Sequence, residues 1–460
     1  MANNPYRLNW VPNLSDAQRE VYVAIADALA ADIRSGKLRA GHKLPPQRLL
    51  AYTLGLNPGT VHKAYKLAAK RGLVSGEIGR GSFVRQDAKS NILWPNGNPH
   101  DRSIDFCDNY PCPINKTESI KEQLAGLAER TDLDQLLQYQ QNSAKEDHKA
   151  IAASWIERFG VKPEPRTTLI TNGALHAGFV SLLALCRAGD TVLAEELTSQ
   201  AIKGAAQRLK LRLKGIKMDR LGIIPEHLDE LLRKNRVSAV YLVPTIQNPT
   251  ATLLSLSRRH QVAAILARHG VPLIEDDIFA PLVKKRVRPI SSFIPDQSFY
   301  IAGLSKAVAP ALRLAFMLVP PRYYQDALDG LRLTTWLASP LLMEIAAGLI
   351  SNGNIDKIIS EQRREIDKRQ ELAKSILGAH KPPMTKNAPH LWLTLPDPWR
   401  GNQFREALHQ KEVSVLSSDS FAVERNQLVH AVRICLGTPT SLPKVKEGLD
   451  LIAETLHRGL

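Results

Sequence analysis

The sequence predicts a multidomain chain: an N-terminal winged helix-turn-helix (α+β), a large α/β domain with a largely parallel sheet, and a smaller C-terminal α/β lobe. Three observations predict it. Residues 1–84 read as three short helices followed by two strands around a Gly-rich tip. From residue 105 onward, apolar strand-like bursts alternate with longer helical stretches. The chain has 460 residues, roughly two to three times the size of one ordinary domain.

The first helix is expected over about 16–35. Ser15 can cap it, Gln18 stands in the capping-box position, and Val21, Ile25, Leu29 and Ile33 recur as one apolar face. Gly36 and Gly41 end it and open a turn into Leu44-Pro45-Pro46, from which a short helix runs over 46–54. Asn57 fits an N-cap and Pro58 a first helical residue, so a third helix begins there and turns Val61, Ala64, Tyr65 and Leu67 inward. Residues 73–74 and 82–84 read as the strands of a wing.

Residues 85–104 are polar and aperiodic and read as a linker. In the large domain, 105–340, the bursts fall at 168–171, 191–194, 239–243, 271–274, 299–301 and 314–319, and helical patterns at 175–186, 225–234 and 257–269. The smaller lobe, 341–460, is expected to hold a charged helix over 355–376 and strands over 391–395 and 429–436.

With 44% apolar and 23% charged residues, the whole chain is neither disordered, collagenous nor a coiled coil. The formal charge is +16, and residues 1–90 carry fourteen basic against six acidic side chains. Half of the surplus therefore lies in the first fifth of the chain, where a polyanion is the natural partner. Four cysteines without a CxxC unit argue for a reduced compartment and against a zinc or iron–sulfur site. No metal site is expected. The first residues lack the apolar stretch of a signal peptide, and no run of eighteen apolar residues occurs, so a cytoplasmic protein without a membrane span is expected.

In a helix-turn-helix the second helix of the motif enters the major groove with its first turns facing base edges. Thr60 and His62 are the candidates for base contact, and Arg48, Lys63, Lys66, Lys70 and Arg71 for phosphates. Arg80, between Gly79 and Gly81 at the wing tip, suits a minor groove or flanking phosphates. Double-stranded DNA is the expected partner; the plain alternative is that these cations only solvate a small helical domain.

These residues resemble the GntR family of bacterial regulators. The match is carried by Gly41, Leu44-Pro45-Pro46, Arg48-Leu49-Leu50-Ala51, Leu54-Gly55, Thr60-Val61, Ala64-Tyr65, Gly72-Leu73-Val74 and Gly79-Arg80-Gly81-Ser82-Phe83-Val84. The resemblance implies operator DNA binding, usually by a pair of such units within a dimer.

In the large domain, Lys306 directly follows a strand, where an α/β sheet presents its ligand crevice. Pyridoxal 5'-phosphate needs a lysine for the imine, a carboxylate for the pyridine nitrogen, donors for the phenolic oxygen, and a phosphate cup. Asp276 stands at the end of the preceding strand and supplies the carboxylate. Asn248 can donate to the phenolic oxygen. Asn172, Gly173 and Ala174 lie between a strand and a helix as a phosphate cradle, which Ser305 and Arg313 complete. Each has a plain alternative: a helix cap for Asp276, a turn for Asn248-Pro249, a helix surface for Arg313.

This ordered set resembles the fold-type I aminotransferases, and with the N-terminal match it is similar to the MocR subfamily of GntR regulators. The resemblance implies that Lys306 is the catalytic imine lysine, that Arg433 binds the α-carboxylate of an amino acid or amine effector, and that the chain forms a homodimer, head to tail. It implies a regulator that senses its effector by transaldimination; the alternatives are an active aminotransferase carrying a DNA-binding module, or a regulator that has lost the cofactor. Three positions depart from the family pattern. Ser199 stands where an aromatic stacks on the cofactor ring, Phe279 where a tyrosine donates to the phenolic oxygen, and Ala311 where a glycine precedes the phosphate arginine. His176 or a partner-chain residue is the expected substitute donor.

Overall fold

The computed structural model describes residues 8–14, 20–38, 41–77, 81–84, 103–139, 144–380, 382–424 and 429–457. They form two compact units, divided near Asn98.

In the first unit, α1 (Val21–Ser35), α2 (Gln47–Leu54) and α3 (Pro58–Lys70) precede β1 (Val74–Glu77) and β2 (Gly81–Val84), which pair antiparallel. Ile25, Leu29, Ile33, Leu50, Val61, Ala64, Tyr65, Val74 and Val84 close one core. Gly55 ends α2 at φ 65°, a left-handed conformation that a residue with a Cβ enters at a cost, and the chain turns there into α3. Asn57 then accepts the Gly59 N–H at 2.8 Å, capping α3 as its side chain predicts. The Ser15–Gln18 cap, the wing tip with Arg80, and residues 85–102 lie outside the described residues.

The second unit opens with β3 (Ile104–Asp105) and continues through β4 (Thr168–Thr171), β5 (Thr191–Glu195), β6 (Arg212–Ile216), the small hairpin of β7 (Met218–Asp219) and β8 (Gly222–Ile223), then β9 (Ala239–Leu242), β10 (Leu273–Asp276), β11 (Ser298–Gly303) and β12 (Ala315–Leu318). Seven of these make one sheet in the order β4-β12-β11-β10-β9-β5-β6. Only β12 runs against its neighbours. Apart from the edge strand β6, whose sequence RLKGI is partly open to solvent, the strands are mostly buried and apolar, as expected of a sheet covered on both faces.

The C-terminal lobe adds β13 (His390–Thr394), β14 (Val413–Ser414), β15 (Leu416–Ser417) and β16 (Ala431–Cys435). β16 lies between β13 and β15, antiparallel to both. Two features differ from expectation. Residues 104–105, placed at the end of the linker and the start of the large domain, pair with β14 of this lobe. The helix Pro340–Ser351, which the sequence does not signal and which falls in the span read as the start of the lobe, packs into the large core through Met343, Ile345 and Leu349. Its sequence, PLLMEIAAGLIS, is apolar nearly all round and suits full burial. The helix Asn354–Leu377 then spans the two cores, with Ile355, Ile358 and Ile366 in the first and Ala373 and Leu377 in the second. Among the described residues no single helix is long and apolar enough to cross a membrane.

Candidate functional site

The strand directions gather the expected residues on one edge of the large sheet. β4, β9, β10 and β11 run the same way, so Asn172, the loop to Asn248, Asp276 and the Ser305-Lys306 turn all lie at carboxyl ends. The antiparallel β12 starts from that same edge: its Ala315 faces both Gly303 and Thr171. Arg313, two residues before it, is thereby brought to Asn172.

That corner is a tight cradle. Arg313 donates from Nη2 to the Asn172 carbonyl at 3.3 Å. Gly173 holds φ 88°, and a Cβ there would lie 3.1 Å from the same Nη2. The helix Ala174–Leu185 starts immediately after, with its first amides free to bind an anion. The Asn172 N–H donates to His176 Nδ1 at 3.1 Å, so the ring proton sits on Nε2, which bonds Thr334 Oγ1 at 2.7 Å. Burial and the Arg313 charge lower the His176 pKa. His176 is thus engaged at the cradle, through both ring nitrogens. Ser305 is buried beside Lys306.

Asp276 ends β10 and accepts the Tyr241 hydroxyl at 2.7 Å and the Ile278 N–H at 3.3 Å. Burial pushes its carboxyl up, against the Tyr241 hydrogen bond and the Lys306 charge. Tyr241 faces Ile274 across the parallel β9–β10 pair. Ser199 caps the helix Gln200–Arg208 by accepting the Ile202 N–H at 3.4 Å. Phe279 is buried, its ring 5.7 Å from that of His390.

Lys306 Nζ donates to the Asn109 carbonyl at 2.7 Å. Burial, helped by the Arg433 charge, pushes its pKa down to about 8. Arg433 sits on β16 between Trp392 and Leu416. Strand alternation sends Val432 and Ile434 into the lobe's core and Arg433 to the opposite face. There its guanidinium covers the Phe421 ring at 4.8 Å, donates from Nη1 to Asn248 Oδ1 at 2.6 Å, and bonds the Cys107 carbonyl from Nη2. Because Asn248 Oδ1 is the acceptor, its NH2 remains as a donor. Arg433 Nε is buried without a partner. The site therefore combines a lysine with a lowered pKa, a half-buried carboxylate with a raised pKa, a glycine–arginine corner at a helix start and a guanidinium fork.

Four residues at this site escape the sequence reading. Asn109 and Cys107 lie in an aperiodic stretch just after the linker. Tyr241 reads as an ordinary core residue of an apolar strand. His390, which opens β13, bonds Asn109 through Nδ1 at 2.8 Å and the Gln247 carbonyl through Nε2 at 3.1 Å. A lone histidine at the head of the apolar run Leu391–Leu393 was the one available signal.

In the first unit, Arg48, His62, Lys63 and Lys66 are exposed and Thr60 is half-buried. His62 Nδ1 lies 3.1 Å from Gln47 Oε1, which ties α3 to the start of α2. Arg71, expected on a phosphate, is ion-paired with Asp27.

Comparison with known proteins agrees with this architecture. Residues 21–84 match the bacterial regulatory proteins of the gntR family, and residues 102–449 match aminotransferase class I and II. The Bacillus subtilis HTH-type transcriptional regulator YdeF is 30% identical over 98% of this chain and 97% of its own. The vitamin B6 salvage pathway transcriptional repressor PtsJ of Salmonella typhimurium is 27% identical over 95% of this chain and 97% of its own. Among solved structures, the Pyrococcus horikoshii kynurenine aminotransferase, in complex with PMP, superposes with a TM-score of 0.72 at 22% identity, covering 78% of this chain and 91% of that one. The α-aminoadipate aminotransferase LysN of Thermus thermophilus gives 0.70 at 20% identity, covering 77% and 92%. The chain belongs to the MocR-type GntR regulators, in which an N-terminal helix-turn-helix is fused to a fold-type I aminotransferase-like domain.

Proposed function

We propose that the large unit holds pyridoxal phosphate on Lys306 and reports an effector bearing an amine and a carboxylate, and that the N-terminal unit binds operator DNA as part of a homodimer. The observation that carries this reading is the convergence of Lys306, Asp276, Asn248 and Arg433 at one sheet edge beside the Gly173–Arg313 cradle. The residues fit the cofactor. A side chain at position 173 would crowd Arg313 Nη2 at 3.1 Å on a backbone at φ 88°, so glycine suits the cradle. The half-buried Asp276 carboxylate, its pKa raised by desolvation, favours a cationic partner, which a protonated pyridine would provide.

When bound, the cofactor supplies an aldehyde for which Lys306 and an incoming primary amine compete. The chain's own residues do the rest. The amides that open the helix Ala174–Leu185, with Arg313 and Ser305, hold the phosphate; Asp276, fixed by Tyr241, holds the ring nitrogen; Asn248 donates to the phenolic oxygen. Phe279 adds no hydroxyl there, and His176 is occupied at the cradle, so within one chain the phenolic oxygen has one fewer donor than in the family pattern. Arg433 takes the carboxylate. On the DNA side, Thr60 and His62 read base edges while Arg48, Lys63, Lys66 and Arg80 bind phosphates.

The test is chemical. Reconstituted protein reduced with borohydride and digested should carry the phosphopyridoxyl mass on the Lys306 peptide. An unmodified Lys306 peptide from fully loaded protein would overturn the cofactor reading. Sustained amino-group transfer to a keto acid would favour an enzyme over a sensor.

A further inference from the structure

We infer that Asn109 is a specificity-determining residue, and that the effector carries a hydrogen-bond donor on its side chain besides its amine and carboxylate. This rests on the cofactor and effector reading above.

The Gln247 carbonyl can only accept, so His390 donates to it from Nε2 across 3.1 Å. Burial pushes His390 down to about 3; the ring is neutral and its Nδ1 is an acceptor. Asn109 must then turn its NH2 toward that nitrogen, at 2.8 Å. Its Oδ1 is left over, buried and without a partner. The same residue receives Lys306 Nζ on its main-chain oxygen, which puts the orphaned acceptor on a residue in contact with the amine-reactive lysine. The other orphan on a site residue, Arg433 Nε, is a donor, which the effector's carboxylate would satisfy. A buried acceptor without a donor is costly, and a ligand group that satisfies it is strongly selected.

The cofactor has no donor to spare for Asn109. Its aldehyde, ionised phenolic oxygen and phosphate all accept, and its one N–H, on the ring nitrogen, belongs to Asp276. The effector's amine is committed to the aldehyde, and its carboxylate accepts from Arg433. Among the effector's own groups, what remains is its side chain: a hydroxyl, an amide or a second amine, set against the amine of Lys306, which already bonds the Asn109 main-chain oxygen.

The probes are amino acid pairs that differ by such a donor: L-serine and L-alanine, L-homoserine and L-2-aminobutyrate, L-ornithine and L-norvaline. Each is titrated calorimetrically into cofactor-loaded protein whose Lys306 adduct has first been verified. In at least one pair the donor-bearing member should bind about tenfold or more tightly. Asn109→Ala and Asn109→Gly should bring that ratio to about one. Equal affinities within every pair for the unsubstituted protein overturn the inference, as does a preference that persists in both variants. Absence of the Lys306 adduct, seen before any amine is added, or of binding by the whole panel, overturns instead the reading on which it rests.

Discussion

Arg433 Nη1 donates to Asn248 Oδ1 at 2.6 Å, joining the central strand of the C-terminal lobe to the loop that follows β9 of the large sheet. The same guanidinium holds the Cys107 carbonyl. A carboxylate entering this cleft meets a planar fork already oriented by two partners, which an ammonium group cannot reproduce. Arg433→Lys should therefore weaken binding of amine–carboxylate effectors about tenfold to a hundredfold, with little effect on the matching amines that lack the carboxylate. Calorimetry on cofactor-loaded protein measures both.

The cradle depends on a missing side chain. A Cβ at Gly173 would sit 3.1 Å from Arg313 Nη2, on a backbone at φ 88°. Gly173→Ala should displace the guanidinium and lower affinity for pyridoxal phosphate by about tenfold or more. Affinity for pyridoxal, which lacks the phosphate, should change much less. Equal losses for the two would place the phosphate elsewhere.

Lys306 must be neutral to attack an aldehyde. With its pKa pushed to about 8 by burial, cofactor loading should accelerate about tenfold per pH unit below that value and level off above it. A lysine at the ordinary 10.5 would go on accelerating, and stopped-flow absorbance separates the two profiles. The sign for stability follows from the same shift. From about pH 8 to 10.5 the unfolded lysine keeps its proton while the folded one has lost it, so apo stability should rise with pH across that window. Lys306→Met should remove the rise.

How much of this site was legible depended on how local its causes are. Asn57 caps α3 through a bond to Gly59, two residues away, so sequence alone placed that helix start. Lys306 and Asp276 follow apolar runs whose ends are visible, and Arg433 sits between two inward-facing apolar neighbours. Tyr241 was not legible, because its bond to Asp276 is set by the register of two parallel strands thirty-odd residues apart in the chain. Asn109 was hidden for another reason. It enters the cleft just after the two-residue strand β3 has paired with β14, and a strand that short leaves no periodicity. The packing of Pro340–Ser351 into the large core was hidden in a similar way, since burial and not periodicity assigns it there.

On α2 and α3, the cations proposed for phosphates and the side chains proposed for base edges should separate by experiment. Lys63→Ala, Lys66→Ala and Arg48→Ala should each weaken binding to all duplexes alike, and each should reduce the slope of log affinity against log salt by about one. Thr60→Ala and His62→Ala should instead narrow the gap between operator and unrelated duplex, leaving the slope nearly intact. Fluorescence anisotropy across a salt series reads both quantities.

The most direct test follows both units of one sample at once. An amine-and-carboxylate effector is titrated into cofactor-loaded protein bound to a labelled duplex from the gene's own upstream region, while the visible absorbance and the anisotropy are recorded together. The two signals should move with one midpoint, and Lys306→Ala should abolish the effector response of both while the duplex still binds. An anisotropy that stays flat while the absorbance band shifts to completion would contradict the sensor account.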